Sequence, residues 1–260
     1  MFRHQNRPLP ALTFIIGVWP RGWRYLWQAC RWPYQGTGIQ QSYQFQALLR
    51  WAGMAPHVAR RGAVPIHANA AMRLARVALS NHHQNAYHNH AHVWQVLTMA
   101  VILGRTANHL PADRWMLIIA ALAHDLGHPG RRMRDCNGSE ETAAIKRASR
   151  LLFRRGANGQ QHRQLARMVM ATAATTINDA KPHANRCPWN LLHDADLLHD
   201  ADLFASLAFG PSMQLYFARK IAQEQMVPLL ADKILQQFLT SRQLKTSAAI
   251  KLARCIKSEI

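Results

Sequence analysis

Acidic residues are scarce in this 260-residue chain, which has 13 Asp and Glu against 32 Lys and Arg. The formal charge is +19 and the pI about 11.1, so the chain attracts phosphate groups on nucleotides, nucleic acids or lipid headgroups. Only four cysteines occur, with no Cys-x-x-Cys pair, which excludes a cysteine-rich zinc finger and a disulfide framework. We therefore expect reduced thiols and a cytoplasmic protein.

Long apolar runs are also missing, since none approaches the length of about 18 residues that spans a bilayer. No segment of useful length alternates with period two, which argues against a sheet. Apolar residues recur instead at spacings of three and four, as in "WMLIIAALAHDL" and "ETAAIKRASRLLFRR". The predicted fold class is therefore all-α, a compact multi-helix bundle in one large domain.

The N-terminal segment 1–38 differs from the rest because it is rich in Trp and Arg, as in "PRGWRYLWQACRWPY". Gly36 and Gly38 in "GTGIQQS" form the only plausible linker, so we divide the chain into segment 1–38 and domain 39–260. The segment either packs its tryptophans on the domain or lies on an anionic membrane surface. The second alternative would make the protein peripherally membrane-associated.

Two histidines in the stretch "YHNHAH" are spaced for a common site. His88 and His92 are four residues apart, which places them on one face of a helix, one turn apart. Two imidazoles could then point at one ion. The alternative is chance, because a chain with 15 histidines produces such spacings by accident.

The stretch "AALAHDLGHPG" ends an apolar helix with His124 and Asp125, directly before the helix breakers Gly127 and Pro129. An unpaired carboxylate is costly to bury, so Asp125 either forms an ion pair or binds a cation. Neighbouring helical residues point about 100° apart, which suits two ligands that wrap one ion. Helix capping by His124 and Asp125 is the alternative.

A third cluster is the duplicated phrase "LHDADLLHDADL" at residues 192–203, which is acidic in a chain short of acid. We expect it on an amphipathic helix that continues as "FASLAFG", and a solvated charged face is the alternative. Mixed His and carboxylate ligands suit Zn²⁺, Mn²⁺ or Fe, and Mg²⁺ where waters complete the shell. The sequence thus predicts one or two divalent metal ions in the core of the bundle.

Together the three phrases resemble the HD-domain superfamily of metal-dependent phosphohydrolases. "Y-H-N-x-x-H", "H-D-x-x-H-P-G" and "A-D-L" are most similar to the catalytic domain of cyclic-nucleotide phosphodiesterases, over about residues 66–210. Shorter bacterial HD phosphohydrolases, which act on varied phosphate esters, are equally good relatives. The resemblance implies that Asp125 bridges to a second metal, that His128 lies near the waters of that metal, and that His88 is the general acid. It implies that the first metal is held by His92, His124, Asp125 and one Asp of the duplicated phrase.

We assign that last ligand to Asp202 rather than to Asp196. The two acids are six residues apart and so roughly 120° apart around a helix, which prevents both from reaching one ion. Asp202 is followed by the small and apolar run "LFASLAFG", which packs against a core and is similar to the run after this Asp in the family. Asp196 is followed only by the second copy of the phrase.

The predicted function is metal-dependent hydrolysis of a phosphate ester, with a phosphodiesterase acting on a nucleotide-type substrate as the first choice. A metal-activated water would be the nucleophile and His88 the general acid. The alternative is a vestigial HD scaffold that binds nucleic acid or an anionic membrane surface. The expected partner is a small phosphorylated substrate, with nucleic acid or a membrane, contacted through segment 1–38, as further candidates.

Overall fold

Helices account for nearly all of the regular structure in the computed structural model, which describes residues 45–46, 48–49, 54, 66–79, 85–109, 111–130, 139–154, 156–173, 189–208 and 211–257. No strand occurs in these ranges, so the predicted all-α fold class is confirmed. The helices bounded here are α1 (Ile66–Ala78), α2 (His90–Thr106), α3 (Pro111–Ala123), α4 (Ser139–Phe153), α5 (Gly159–Met170), α6 (Trp189–Ala208), α7 (Pro211–Glu224), α8 (Ala231–Ser241) and α9 (Ser247–Lys257), with a 3₁₀ turn at Pro228–Leu230.

Helices α2, α3 and α6 pack against one another and form the centre of the bundle. Their facing side chains are fully buried, among them Leu97, Ile118, Ile119, Leu197 and Phe204. Each such side chain stabilises the fold by about 1.5–3 kcal/mol through the hydrophobic effect. Around this centre, α1 packs on α3, α5 on α3 and α6, and α9 on α6.

Helix α6 corrects one expectation, because it is not amphipathic. Leu198, His199, Asp200 and Ala201 are consecutive and all buried, so this part of the helix has no solvent face. The reason is that α2, α3, α5, α7 and α9 all pack against α6. Its acidic residues must therefore find partners inside the protein.

Segment 1–38 and its linker at Gly36 and Gly38 lie outside the described residues, so the domain boundary and the membrane alternative stay predictions. Among the described helices, none combines the length and the apolar run needed to cross a membrane.

Candidate metal centre

Four predicted ligands come together where α2, α3 and α6 meet. His92 belongs to the first turn of α2, His124 and Asp125 follow the end of α3, and Asp202 lies in α6. The Nε2 atom of His92 is 3.1 Å from Oδ1 of Asp202, 3.3 Å from Oδ2 of Asp125 and 3.3 Å from Nε2 of His124. His124 Nε2 is 3.0 Å from Asp125 Oδ2. The cluster is thus a compact group of two imidazoles and two carboxylates.

The start of α2 corrects the expected position of His88. Helix α2 begins at His90, and Asn89 is its N-cap, because the Asn89 side chain accepts hydrogen bonds from the backbone N–H groups of Ala91 and His92. His88 therefore precedes the helix and does not share a helical face with His92. The two rings still lie close, with centroids 5.7 Å apart, because the bend at 86–89 turns His88 toward the same site.

The turn after α3 is shaped by two glycines in the left-handed region. Gly127 has φ +77° and Gly130 has φ +73°, a backbone conformation that residues with a side chain rarely adopt. A Cβ on Gly130 would lie 2.0 Å from the side-chain oxygen of Asn85, whose amide donates a hydrogen bond to the carbonyl of His128. The glycines thus allow the loop before α2 to close onto the turn that carries Asp125 and His128.

Of the duplicated acids, only Asp202 reaches the cluster. Asp196 is 40% exposed and forms an ion pair with Lys245 at 3.3 Å, on another side of α6. This arrangement favours Asp202 over Asp196 as the ligand, in keeping with the register predicted from the repeat.

The remaining two acids of the repeat have structural partners. Asp194 is buried and pairs with Nε2 of His109 at 2.7 Å. Asp200 is fully buried and accepts hydrogen bonds from the backbone N–H groups of Lys245 and Thr246 and from the Thr246 hydroxyl. Asp200 therefore ties the start of α9 to α6.

The charges of the cluster stabilise one another. Burial lowers the pKa of His92, but Asp125 and Asp202 outweigh it through hydrogen bonds and charge and raise that pKa to about 10. Burial is likewise outweighed at His124, where Asp125 and Asp202 raise the pKa. The pKa values of both carboxyls lie below the usual range, since the imidazoles offset the cost of burial. The carboxylates are thus ionised and ready to bind a cation.

The donor set fits a divalent metal ion. Ligand atoms at about 2.0–2.2 Å from an ion are about 3.0–3.5 Å apart in octahedral or tetrahedral geometry, which matches the contacts given above. The Nδ1 atom of His124 lies 2.8 Å from the carbonyl of Ala121 and donates a hydrogen bond to it, so Nε2 is the atom that a metal would bind in place of a proton. The residues present could therefore hold such an ion.

His88 is held by Glu224, a residue that the sequence did not single out. The Nδ1 atom of His88 is 2.5 Å from Oε1 of Glu224, and Glu224 Oε2 accepts hydrogen bonds from the backbone N–H groups of Tyr87 and His88. Burial raises the pKa of Glu224, but the hydrogen bonds and charge of His88 and these N–H donors lower it to about 2. Glu224 ends α7, 136 residues from His88, and its one sequence signal is that acids are rare in this chain.

His128 stacks on His88, with ring centroids 3.8 Å apart. The backbone N–H of Gly130 donates to Nδ1 of His128, which leaves the hydrogen on Nε2, 2.9 Å from the carboxylate of Glu140. Burial and then the neighbouring His88 lower the pKa of His128. Ligand atoms of His88, Asp125 and His128 all lie within 4.8 Å of one another, so these residues form a second candidate cation group next to the first.

The family model described as the HD domain matches residues 89–178 of the chain. The phosphodiesterase domain of the RhoPDE fusion protein from the choanoflagellate Salpingoeca rosetta is a similar solved structure, with a TM-score of 0.49 and 15% sequence identity, covering 87% of this chain and 82% of that chain. No curated protein matches the chain.

The matched range 89–178 includes His92, His124, Asp125 and His128. The chain therefore contains an HD domain, which confirms the resemblance drawn from its motifs. The HD domain of residues 89–178 supports a metal-dependent phosphohydrolase.

Proposed function

We propose that the chain is a phosphodiesterase that hydrolyses a nucleotide-type phosphate ester. In this proposal the metal ligands are His92, His124, Asp125 and Asp202, and His88 is the general acid. The observation that carries the proposal is the position of His88, which is held by Glu224 next to a buried cluster of four ligand side chains. A purely structural cluster would not require a further histidine to be held at its edge by its own carboxylate.

The ligand cluster supplies what phosphate ester hydrolysis needs. A bound divalent ion would neutralise charge on the phosphoryl oxygens and lower the pKa of a water for attack. The chain itself holds the two carboxylates in their ionised form and directs Nε2 of His124, rather than Nδ1, toward the ion. Asp125 is close to both candidate cation groups, so it is the residue that could bridge two ions.

His88 has the partner that a general acid requires. Glu224 accepts the Nδ1 hydrogen, which leaves Nε2 as the atom that gives a proton to the leaving oxygen. Because the pKa of Glu224 is about 2, its carboxylate stays ionised near neutral pH and holds the ring of His88 through Nδ1. General acid catalysis of this kind typically contributes about 10²–10⁴ in rate.

His128 would orient the site and not transfer a proton to the substrate. Its ring lies against His88, and its Nε2 hydrogen is directed to Glu140. In this role His128 fixes the ring plane of His88 and contributes to the group around the second cation.

The proposal is tested by metal analysis together with a screen of phosphomonoesters, cyclic mononucleotides, cyclic dinucleotides and deoxynucleoside triphosphates. We expect stoichiometric divalent metal and turnover of a phosphodiester. His124→Ala should lose metal and activity, whereas His88→Ala should keep its metal and lose about 10²–10⁴ in kcat.

A nitrophenyl ester separates acid catalysis from a general loss of structure, because its leaving group needs no proton. The loss in His88→Ala should be much smaller for this substrate. Equal loss for all leaving groups would contradict the role of His88, and full metal content in His124→Ala would contradict the ligand assignment.

A further inference from the structure

A pocket lies beside the turn that follows α3, between α1 and α4. Its cavity has a volume of about 520 Å³, within the range of about 300–1,000 Å³ of small-molecule sites. Val77, Leu126 and Leu151 form apolar walls. Three arginines complete the lining, namely Arg147 and Arg150 of α4 and Arg154, which directly follows α4.

The arginines lie on one face of α4 and of the residue that follows it, because the backbone N–H of Arg154 still donates to the carbonyl of Arg150. Positions 147, 150, 151 and 154 are three and four residues apart, so Leu151 lies among the three guanidinium-bearing side chains. Arg147 is engaged with the protein itself, since its Nη1 donates hydrogen bonds to the carbonyls of Leu126 at 2.9 Å and Gly127 at 2.7 Å.

Arg150 and Arg154 are exposed at the pocket. Within the described part of the chain, neither arginine has a carboxylate within 4 Å. The four acids of the repeat in α6 are all paired with other groups. Two guanidinium groups above an apolar floor are complementary to a ligand with an anionic head and an apolar body.

We propose that this pocket is a second ligand site, separate from the metal centre, for a small organic phosphate with an apolar or aromatic part. The phosphate would bind Arg150 and Arg154 through charge-assisted hydrogen bonds, and the apolar part would lie on Val77, Leu126 and Leu151. Such a ligand would contact the turn that carries Asp125 and His128, where Arg147 donates hydrogen bonds to the backbone. The site does not depend on which ester the metal centre hydrolyses.

The probe for the test is 1-naphthylmethylphosphonate, whose carbon–phosphorus bond cannot be hydrolysed. Its affinity is measured by calorimetry at about 0.15 M salt, where charges are screened beyond roughly 8 Å. We expect the full-length protein to bind it at least tenfold more tightly than inorganic phosphate, because only the phosphonate fills the apolar floor. The variant Arg150→Ala/Arg154→Ala should weaken binding at least tenfold.

The matched control is Lys146→Ala/Arg163→Ala, which removes the same charge from exposed helical positions outside the pocket. It should change the affinity less than twofold. Equal loss in both variants would mean general attraction to a basic protein and would overturn the proposal, as would equal affinity for inorganic phosphate.

Two further measurements distinguish this pocket from the metal centre and a small ligand from a lipid headgroup. The Arg150→Ala/Arg154→Ala variant should keep its kcat/KM within twofold, and a large loss of activity would assign the pocket to the metal centre instead. Vesicles with phosphatidic acid test a lipid source of the phosphate. Binding of vesicles that depends on both arginines, without binding of the soluble phosphonate, would replace a small ligand by a lipid headgroup and so overturn the proposal.

Discussion

At the scale of single residues, the repeated phrase in α6 offers four carboxylates, and their neighbours decide what each does. Asp202 Oδ1 is 3.1 Å from Nε2 of His92, whereas Asp196 is at the surface beside Lys245. We predict that Asp202→Asn lowers metal affinity at least tenfold and abolishes most activity. Asn has nearly the same volume as Asp, so a loss of metal affinity would reflect the missing carboxylate ligand and not a change in packing. Equilibrium dialysis with metal analysis measures it.

Asp196→Asn is the matched control, since the same substitution occurs one repeat earlier. It should retain metal and activity, and its stability should change little because exposed ion pairs contribute about 0–1 kcal/mol. If Asp196→Asn lost metal and Asp202→Asn kept it, the register assigned to α6 would be wrong by one copy of the repeat.

Glu224 carries a second prediction at this scale. Its folded pKa of about 2 is below the ordinary value, so the carboxylate contributes stability that is present above about pH 4.5 and is lost as pH falls toward 2. Glu224→Gln should therefore cost about 1.5–3 kcal/mol in the free energy of unfolding at pH 7 and less at pH 3. It should also lower kcat, because His88 loses its anionic partner. Urea unfolding at the two pH values measures the first effect.

Asp232→Asn is the control for Glu224→Gln, because Asp232 is an exposed acid in the first turn of α8. The loss in the free energy of unfolding caused by Asp232→Asn should be similar at pH 7 and at pH 3. If Glu224→Gln lowered the free energy of unfolding by the same amount at both pH values, the hydrogen bond from His88 to an ionised Glu224 carboxylate would be contradicted.

At the scale of the elements, the sequence predicted where α3 ends better than where α2 begins. Helix breakers at Gly127 and Pro129 follow Ala123 closely, so the end of α3 was readable from local chemistry. The start of α2 was misplaced because the histidine spacing outweighed Asn89 in the interpretation. Asn is a preferred N-cap residue, so the signal was present in the sequence.

Gly127 gives a prediction for the turn between α3 and α4. Its φ of +77° is strained for any other residue, and a Cβ there would collide with the guanidinium of Arg147. Gly127→Ala should lower the free energy of unfolding by about 1–3 kcal/mol, as measured by denaturant titration.

Arg147→Ala alone removes the hydrogen bonds to the turn, so the difference between it and the double variant Gly127→Ala/Arg147→Ala gives the backbone strain without the collision. Gly159→Ala is the control, because Gly159 is exposed at the start of α5 and a Cβ would meet nothing closer than 3.5 Å. It should be neutral or slightly stabilising. A neutral Gly127→Ala would contradict the strained turn.

At the scale of the whole molecule, the helices and the ligand types were predictable because both are local properties of the sequence. Apolar spacing identifies a helix, and His beside Asp at a helix end identifies a candidate ligand pair. The partners of His88 and Asp200 were not predictable, because Glu224 and Thr246 come from distant parts of the chain and meet them only through packing. The burial of α6 on nearly all sides was missed for the same reason.

The net charge of +19 is the property of the whole molecule that should affect the reaction most. A strongly basic protein raises the local concentration of an anionic substrate and can increase its encounter rate by about 10–10³ at low salt. We predict that kcat/KM for a phosphate ester falls as salt is raised from about 0.02 M to about 0.5 M, while kcat changes little. Steady-state kinetics over this range, with metal content held constant, measures the effect.

Lys233→Gln/Lys251→Gln tests whether the whole charge or a local contact is responsible. Both lysines are exposed on α8 and α9, away from the four ligand side chains in sequence, so this variant lowers the charge without touching the cluster. Its kcat/KM should be lower than that of the unmodified chain at low salt and equal to it at high salt, because screening removes the contribution of distant charges first. If kcat/KM did not depend on salt in either protein, the basic charge would play no part in bringing substrate to the site, and its role would have to lie in binding another anionic partner.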